Sequence, residues 1–368
     1  MRFSLKKLFT KAAAKAAPVT DPPDNTGSAA HYASLADCIR DGTVAELAAW
    51  IRKDPDSIHE TSTIAVGKRN FVEVNAIQLA AVLGMAAKMK MLYDAGADMD
   101  APLQKGYTLP ILAARSKNAD TMAFACTHST ADINAAQQSG RTALIEACIS
   151  GDADVVREIL KRNPDIAVCP EYGVPALTAA AKGGHTPIIR LLLDAGADIN
   201  QSSSGNQTAL WWALHCRKTD TVEYLLQHNA DRYATDDRGC TILMKAAEAG
   251  YAPLVKNLLE EGANPNQADH SKNTALHYVV LGVDTPAVTD ILDLLIRHEA
   301  HPGFKNSSDD TPLVLADRLR KKNTAAFLRK LPTTELKIKT DHFVHGTAQK
   351  IKTLKPIGLR STRKNSPA

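Results

Sequence analysis

The chain has 368 residues, 44% hydrophobic, 23% charged and 5% aromatic, with a net charge of +4. That length would hold two or three ordinary domains, packed mainly by Ala and branched aliphatic residues. No run approaches 18 consecutive apolar residues, which argues against a membrane-spanning helix. Six scattered cysteines without close pairs argue against a disulfide scaffold.

The net charge is divided along the chain. Residues 1–30 carry five Lys/Arg against two acids, residues 332–368 carry eight against two, and the stretch between holds 31 basic and 36 acidic residues. Any pull toward phosphate or anionic lipid is therefore expected in the two ends.

Residues 1–17 contain no acid. Leu5, Leu8, Phe9, Ala12 and Ala16 fall on one helical stripe, and Lys7, Lys11 and Lys15 recur every four residues beside it. The pattern fits a basic amphipathic arm, with membrane contact as one use and plain solvation as another. Residues 18–30 are rich in Pro, Gly and Ser and read as a linker, so residues 1–32 form a first region.

From Leu35 a helix is expected up to Gly42, with a second through Trp50 and Ile51. Ile64–Val66 and Phe71–Val74 flank Gly67, Lys68, Arg69 and Asn70, a β-branched and apolar pattern that predicts an elongated hairpin. Then a period sets in. Thr108, Thr142, Pro175, Thr208, Thr241 and Thr274 open equivalent segments 34, 33, 33, 33 and 33 residues apart, with Asn75 33 before them and Thr311 37 after. Each segment holds a short Ala-rich helix, a Gly or polar turn, a longer Leu-rich helix and a second turn. Such a period means stacked supersecondary units rather than one closed core. The unit opened by Thr274 carries three or four extra residues between its helices. The unit opened by Thr311 has a charged second half with Arg318, Arg320, Lys321, Lys322, Arg329 and Lys330, as an uncovered end requires. Residues 332–368 show no sustained period and read as a basic, disordered tail.

These segments resemble ankyrin repeats. Thr274-Ala275-Leu276-His277 and Thr311-Pro312-Leu313 match the family's opening motif. Gly183-Gly184-His185, then Ile188, Ile189, Leu191, Leu192 and Leu193, then Gly196-Ala197-Asp198-Ile199-Asn200 match the rest, and Gly96-Ala97-Asp98 and Gly262-Ala263-Asn264 repeat the turn. The resemblance covers about residues 33–331. It implies an all-α solenoid of about nine helix-turn-helix units with short hairpin-like loops, binding a partner protein on its concave face. Departures are visible at Pro110, Met122, Phe124 and Cys126, and where Trp211 and Trp212 stand in place of a His and an aliphatic residue.

The family's geometry puts the residues before each opening position at loop tips: Tyr107, Arg141, Tyr172, Gln207, Arg238 and Asn273. Residues seven and eight places after it fall on the exposed side of the first helices, here Arg115, Lys182, His215 and Glu248. With Trp211 as an aromatic anchor, Tyr107, Arg115, Arg141, Tyr172, Lys182, Gln207, Trp211, His215, Arg238 and Glu248 form the expected contact surface, rich in types that interface centres favour. Of the tryptophan pair, Trp212 is expected to be the buried member. Lys68 and Arg69, at the tip of the long hairpin, read as a solvated turn or as a specific contact. Cys38 and Cys148 fall in first-helix phase and are read as buried free thiols.

Catalytic motifs are absent: no P-loop, no His-Glu-x-x-His, no Gly-x-Ser-x-Gly and no Cys-x-x-Cys. His298 with His301, and His342 with His345, supply two ligands each where zinc needs three or four. His277 is assigned a local hydrogen bond. No catalytic, cofactor or metal residue is expected. The leading expectation is a non-enzymatic, monomeric interaction module or adaptor in the cytoplasm. A finer version makes it a secreted bacterial effector acting in the host cytoplasm. The competing expectation is a scaffold recruited by its basic tails to anionic membrane, or less readily to nucleic acid, since Phe343 is the single aromatic of the last 37 residues.

Overall fold

The computed structural model describes residues 32–65, 71–170 and 173–331. They form two compact units, one through Ser204 and the other from Gly205. The expected N-terminal arm, the hairpin tip with Lys68 and Arg69, Tyr172 and the C-terminal tail lie outside the described residues.

The first unit holds five helix pairs: α1 (Leu35–Asp41) with α2 (Val44–Lys53), α3 (Ala76–Val82) with α4 (Ala86–Asp94), α5 (Leu109–Ala114) with α6 (Ala119–His128), α7 (Ala143–Ser150) with α8 (Ala153–Leu160), and α9 (Ala176–Gly183) with α10 (Thr186–Asp194). The second unit holds four: α11 (Ala209–His215) with α12 (Thr219–Gln227), α13 (Ile242–Ala249) with α14 (Ala252–Glu260), α15 (Ala275–Leu281) with α16 (Val288–Arg297), and α17 (Pro312–Arg318) with α18 (Lys322–Leu328). Within each unit successive first helices pack on one another, α1 to α3 to α5 to α7 to α9, and α11 to α13 to α15 to α17. The expected all-α repeat stack is what these residues build.

The period in the sequence is a period of helix N-caps. Thr142, Thr208, Thr241 and Thr311 accept hydrogen bonds on Oγ1 from the backbone N–H three residues on, and Asn75 Oδ1 accepts one from Gln78 N–H at 3.0 Å while Gln78 Oε1 accepts one from Asn75 N–H. The cap satisfies a donor that the first turn leaves unpaired. The other recurring spacing, the Asp or Asn of the second turn, is an Asx turn: Asp98, Asp132 and Asp198 each accept the N–H two residues on at 2.9 Å.

First helices with a neighbour on both sides are covered on nearly every face. Ala143, Leu144, Ile145, Glu146, Ala147 and Cys148 are all buried, so small residues are needed where two neighbouring first helices and the helix's own partner converge. Second helices bury one face only, as Ile188, Ile189 and Leu192 do in α10. Gly151 ends α7 at φ +83°, and the ring of His185 stands 2.4 Å from where a Cβ would lie. Both the left-handed backbone and the close ring require glycine there.

Two insertions break the period. Strand β1 (Thr61–Ala65) pairs antiparallel with β2 (Phe71–Asn75), from Thr61 opposite Asn75 to Ala65 opposite Phe71. The predicted hairpin is present, and Val72 and Val74 face inward while Glu73 points out. The extra residues after α15 anchor the terminal repeat. Asp284 accepts from Thr324 N–H and Oγ1–H at 3.0 and 2.8 Å and from Asn323 N–H at 3.0 Å, capping α18. Burial alone would raise the Asp284 pKa, but these donors hold it below the usual 3.8. The Lys321 ammonium donates to the Gly282 carbonyl beside it.

Candidate partner-binding surface

In the first unit, the side bearing the helix N-caps centres on a buried carboxylate. Glu146, 4% exposed, accepts from Gln137 Nε2 at 2.7 Å and Arg141 Nη1 at 3.3 Å on one oxygen, and from Arg115 Nη1 at 3.1 Å on the other. The loop carrying Gln137 and Arg141 is itself held by a bond from Gln138 N–H to the Lys105 carbonyl, 2.9 Å, which ties one loop to the next. Arg141 keeps 46% of its side chain exposed and Arg115 21%. Lys182 is exposed on α9. Tyr107 departs from its expected place at an open loop tip: it is buried, 7% exposed, among the charges of Arg115, Glu146 and Arg141, and burial raises its phenol pKa.

In the second unit the loop ladder continues independently, with Asp237 N–H bonded to Gly205 O, His270 N–H to Arg238 O and Ser307 N–H to Ser271 O at 2.8–3.1 Å. Arg238 is exposed and pairs with buried Asp236 at 3.5 Å, and Asp236 also accepts the N–H groups of Arg238 and Cys240. Gln207 is half-buried. His215 is exposed, and its ring stacks on Trp211 with centroids 5.1 Å apart.

Trp211 is a correction to the sequence reading. It is 3% exposed, while Trp212 is the half-buried one, the reverse of the expected order. The register explains it. Three residues past the cap stand Ile111, Ile145, Met244 and His277, all buried, so Trp211 fills the same inward position. Trp211 is the floor of the surface rather than an anchor reaching out.

Lying over that floor is Lys245, itself buried. Its ammonium is 4.3 Å from the Trp211 ring centroid and 5.8 Å from that of Tyr278, donates to Glu248 Oε2 at 2.6 Å and lies 3.4 Å from His215 Nδ1. Tyr278 donates its hydroxyl to Asp269 at 2.9 Å. Burial pushes the Cys240 thiol beside it up to about 11. Glu248 is half-buried through its bond to Lys245.

Glu146 and Lys245 were not among the expected residues. A signal for them existed. Both stand four places past a cap, where the other repeats have Leu112, Ala179 and Tyr278, so a charge there breaks an apolar register and must be paired. Ile149 and Leu281, 42% and 45% exposed, were also passed over, although they share the register of Arg115, Lys182, His215 and Glu248.

His277 behaves as expected. Its Nδ1 accepts Thr274 N–H at 3.1 Å and its Nε2 lies 3.1 Å from Asp310 O, which fixes the neutral Nε2–H tautomer because a carbonyl can only accept. All six cysteines are free, with Cys38, Cys126, Cys148 and Cys240 buried. Among the described residues no group of three or more His, Cys, Asp or Glu is placed to hold a metal, and no helix is long and apolar enough to cross a membrane.

Comparison with known proteins agrees with this geometry. No curated protein matches the chain. Among matching solved structures, the human ASB11 ankyrin repeat domain shares 21% identity at a TM-score of 0.54, over 62% of this chain and all of that one, a likeness of fold. The family profile described as Ankyrin repeats (3 copies) matches residues 77–169, 167–236, 229–286 and 243–340. With most of its length matched and its caps, turns and paired helices in phase, the chain belongs to the ankyrin repeat family, whose repeats are protein–protein interaction modules.

Proposed function

We propose that this chain is a non-enzymatic adaptor that binds a partner protein along the cap side of its first helices and the adjoining loop tips. The observation that supports it most is the in-phase recurrence of outward side chains on the first helices of each unit: Arg115, Ile149 and Lys182 in one, His215, Glu248 and Leu281 in the other. Recurrence at a fixed step places contact groups without loop reorganisation, which lowers the ordering cost of binding. The test is affinity capture with the immobilised full chain and with residues 33–331, read by quantitative mass spectrometry. A shared partner that both retain, and that Arg141→Glu with Lys182→Glu or Arg238→Glu with His215→Glu releases, supports the reading. A partner retained only when residues 332–368 are present counts against it.

The basic ends favour a second reading, recruitment to an anionic membrane surface, because eight cations against two acids lie in residues 332–368. Vesicles containing phosphatidylserine should then sediment the full chain at low salt and release it at high salt, and deleting 332–368 should abolish this. The finer proposal of a secreted effector working in a host cytoplasm, as a monomer, has the same basic ends as its support. A translocation reporter in cultured eukaryotic cells and light scattering of the purified chain decide those two points.

A further inference from the structure

The strip of first helices α5, α7 and α9 carries Arg115, Ile149 and Lys182, each seven residues past its cap at Thr108, Thr142 and Pro175. These three helices pack side by side, so the three side chains stand in a row with an apolar one in the middle. Arg141 joins the row from the loop before α7. The carboxylate within this cluster, Glu146, is 4% exposed and already receives Gln137, Arg141 and Arg115. Its charge is turned inward toward Arg115 and Arg141, and Ile149, 42% exposed, lies on α7 between Arg115 on α5 and the exposed Lys182 on α9.

Glu146 also does something more useful than neutralise. It holds two guanidinium groups in place before any partner arrives. A guanidinium has five N–H donors in a fixed fork, and a pre-positioned one loses less rotamer freedom when it meets a carboxylate. Arg141 donates to Glu146 at 3.3 Å through one nitrogen and remains 46% exposed.

We infer that this strip receives an extended segment of a partner protein bearing two acidic side chains with one apolar side chain midway between them. The inference rests on the reading of the chain as a protein-binding module and names the chemistry of the bound segment. Its spacing follows from the helices. Packed helices are about 8–10 Å apart, so two steps span roughly 16–20 Å, which an extended polyproline-II segment covers in about six residues with every third side chain on one face. One acid meets the Arg115 and Arg141 pair, the apolar residue covers Ile149, and the second acid meets Lys182. Charge at the ends supplies register and encounter rate, and the desolvated centre supplies slow release.

The test is panning of a random dodecapeptide display library against the immobilised full-length chain, followed by titration of the enriched peptides. Enrichment of peptides with acid, apolar and acid residues at this spacing is expected, with affinity falling as salt rises. Arg141→Glu and Lys182→Glu, both at exposed positions, should each weaken binding by roughly tenfold or more. A peptide whose second acid is changed to Lys should regain affinity for the Lys182→Glu variant. Lys182→Gln, with circular dichroism to confirm the fold, repeats the test without a new charge. Enriched peptides that lack acids, that ignore both reversals, or that fail to appear overturn the inference. Peptides whose binding depends on His215 or Arg238 instead overturn it while leaving the interaction-module reading standing.

Discussion

The Lys245 ammonium sits 4.3 Å above the Trp211 ring and 2.6 Å from Glu248, so a cation lies buried between an indole face and a carboxylate. Two consecutive repeats of the second unit are joined there. Lys245→Met keeps the aliphatic stem but removes the charge, and Trp211→Leu removes the ring. A double-mutant cycle read by urea unfolding should give a coupling of about 0.5–2 kcal/mol. Additive losses would show that the two side chains merely share a neighbourhood.

His277 makes stability fall on the acid side of neutrality. Burial lowers its pKa from the usual 6.5, against the bond to Asp310 O that favours the charged form. Between the folded and unfolded values the unfolded chain binds more protons, so the full contribution is present above 6.5 and declines as pH drops toward the folded value. His277→Asn should lower stability at neutral pH and flatten the loss of urea midpoint between neutral and mildly acidic buffer. An unchanged pH slope in that variant would assign the effect to other groups.

The caps should not be equal. Thr142→Ala, Thr208→Ala and Thr311→Ala each remove a side-chain cap bond and should cost about 1 kcal/mol. Thr108 makes no side-chain cap bond, so Thr108→Ala should cost a few tenths at most. Thermal melts of the four variants rank them, and an equal drop for Thr108→Ala would refute the distinction.

The thiols divide by position in the repeat. Cys38, Cys126, Cys148 and Cys240 are buried, and burial pushes the Cys126 and Cys240 thiols up to about 11. Cys169 lies at the surface and Cys216 is partly covered. A chromogenic disulfide reagent at mildly alkaline pH should therefore label Cys169 first and Cys216 next, with the other four reacting only in denaturant. Rapid labelling of Cys148 in the native chain would contradict the packing of α7.

Trp211 shows where legibility stopped. Its register is that of His277, which the motif already marks as inward, yet an aromatic pair on its own suggests a protruding anchor. Position in the repeat outweighs residue type wherever a stacked neighbour covers that face of the first helix; in the terminal α17 the same position, Val314, is 50% exposed. Tyr107 failed in the same way: a loop-tip position is buried, among the charges of Arg115, Glu146 and Arg141. Arg141, Lys182, His215 and Arg238 kept the exposure their register implies, since long polar side chains at uncovered positions gain nothing by folding inward.

By itself, the order of residues determined the repeat, its helix pairs, its caps and turns, and the two insertions, because these depend on groups within about five residues of one another. The pairing of Glu146 with Arg115, of Lys245 with Trp211 and of Asp284 with the start of α18 was decided only by tertiary structure. Each joins residues some 30 or 40 positions apart, and a buried charge selects whichever partner the stacking brings within reach.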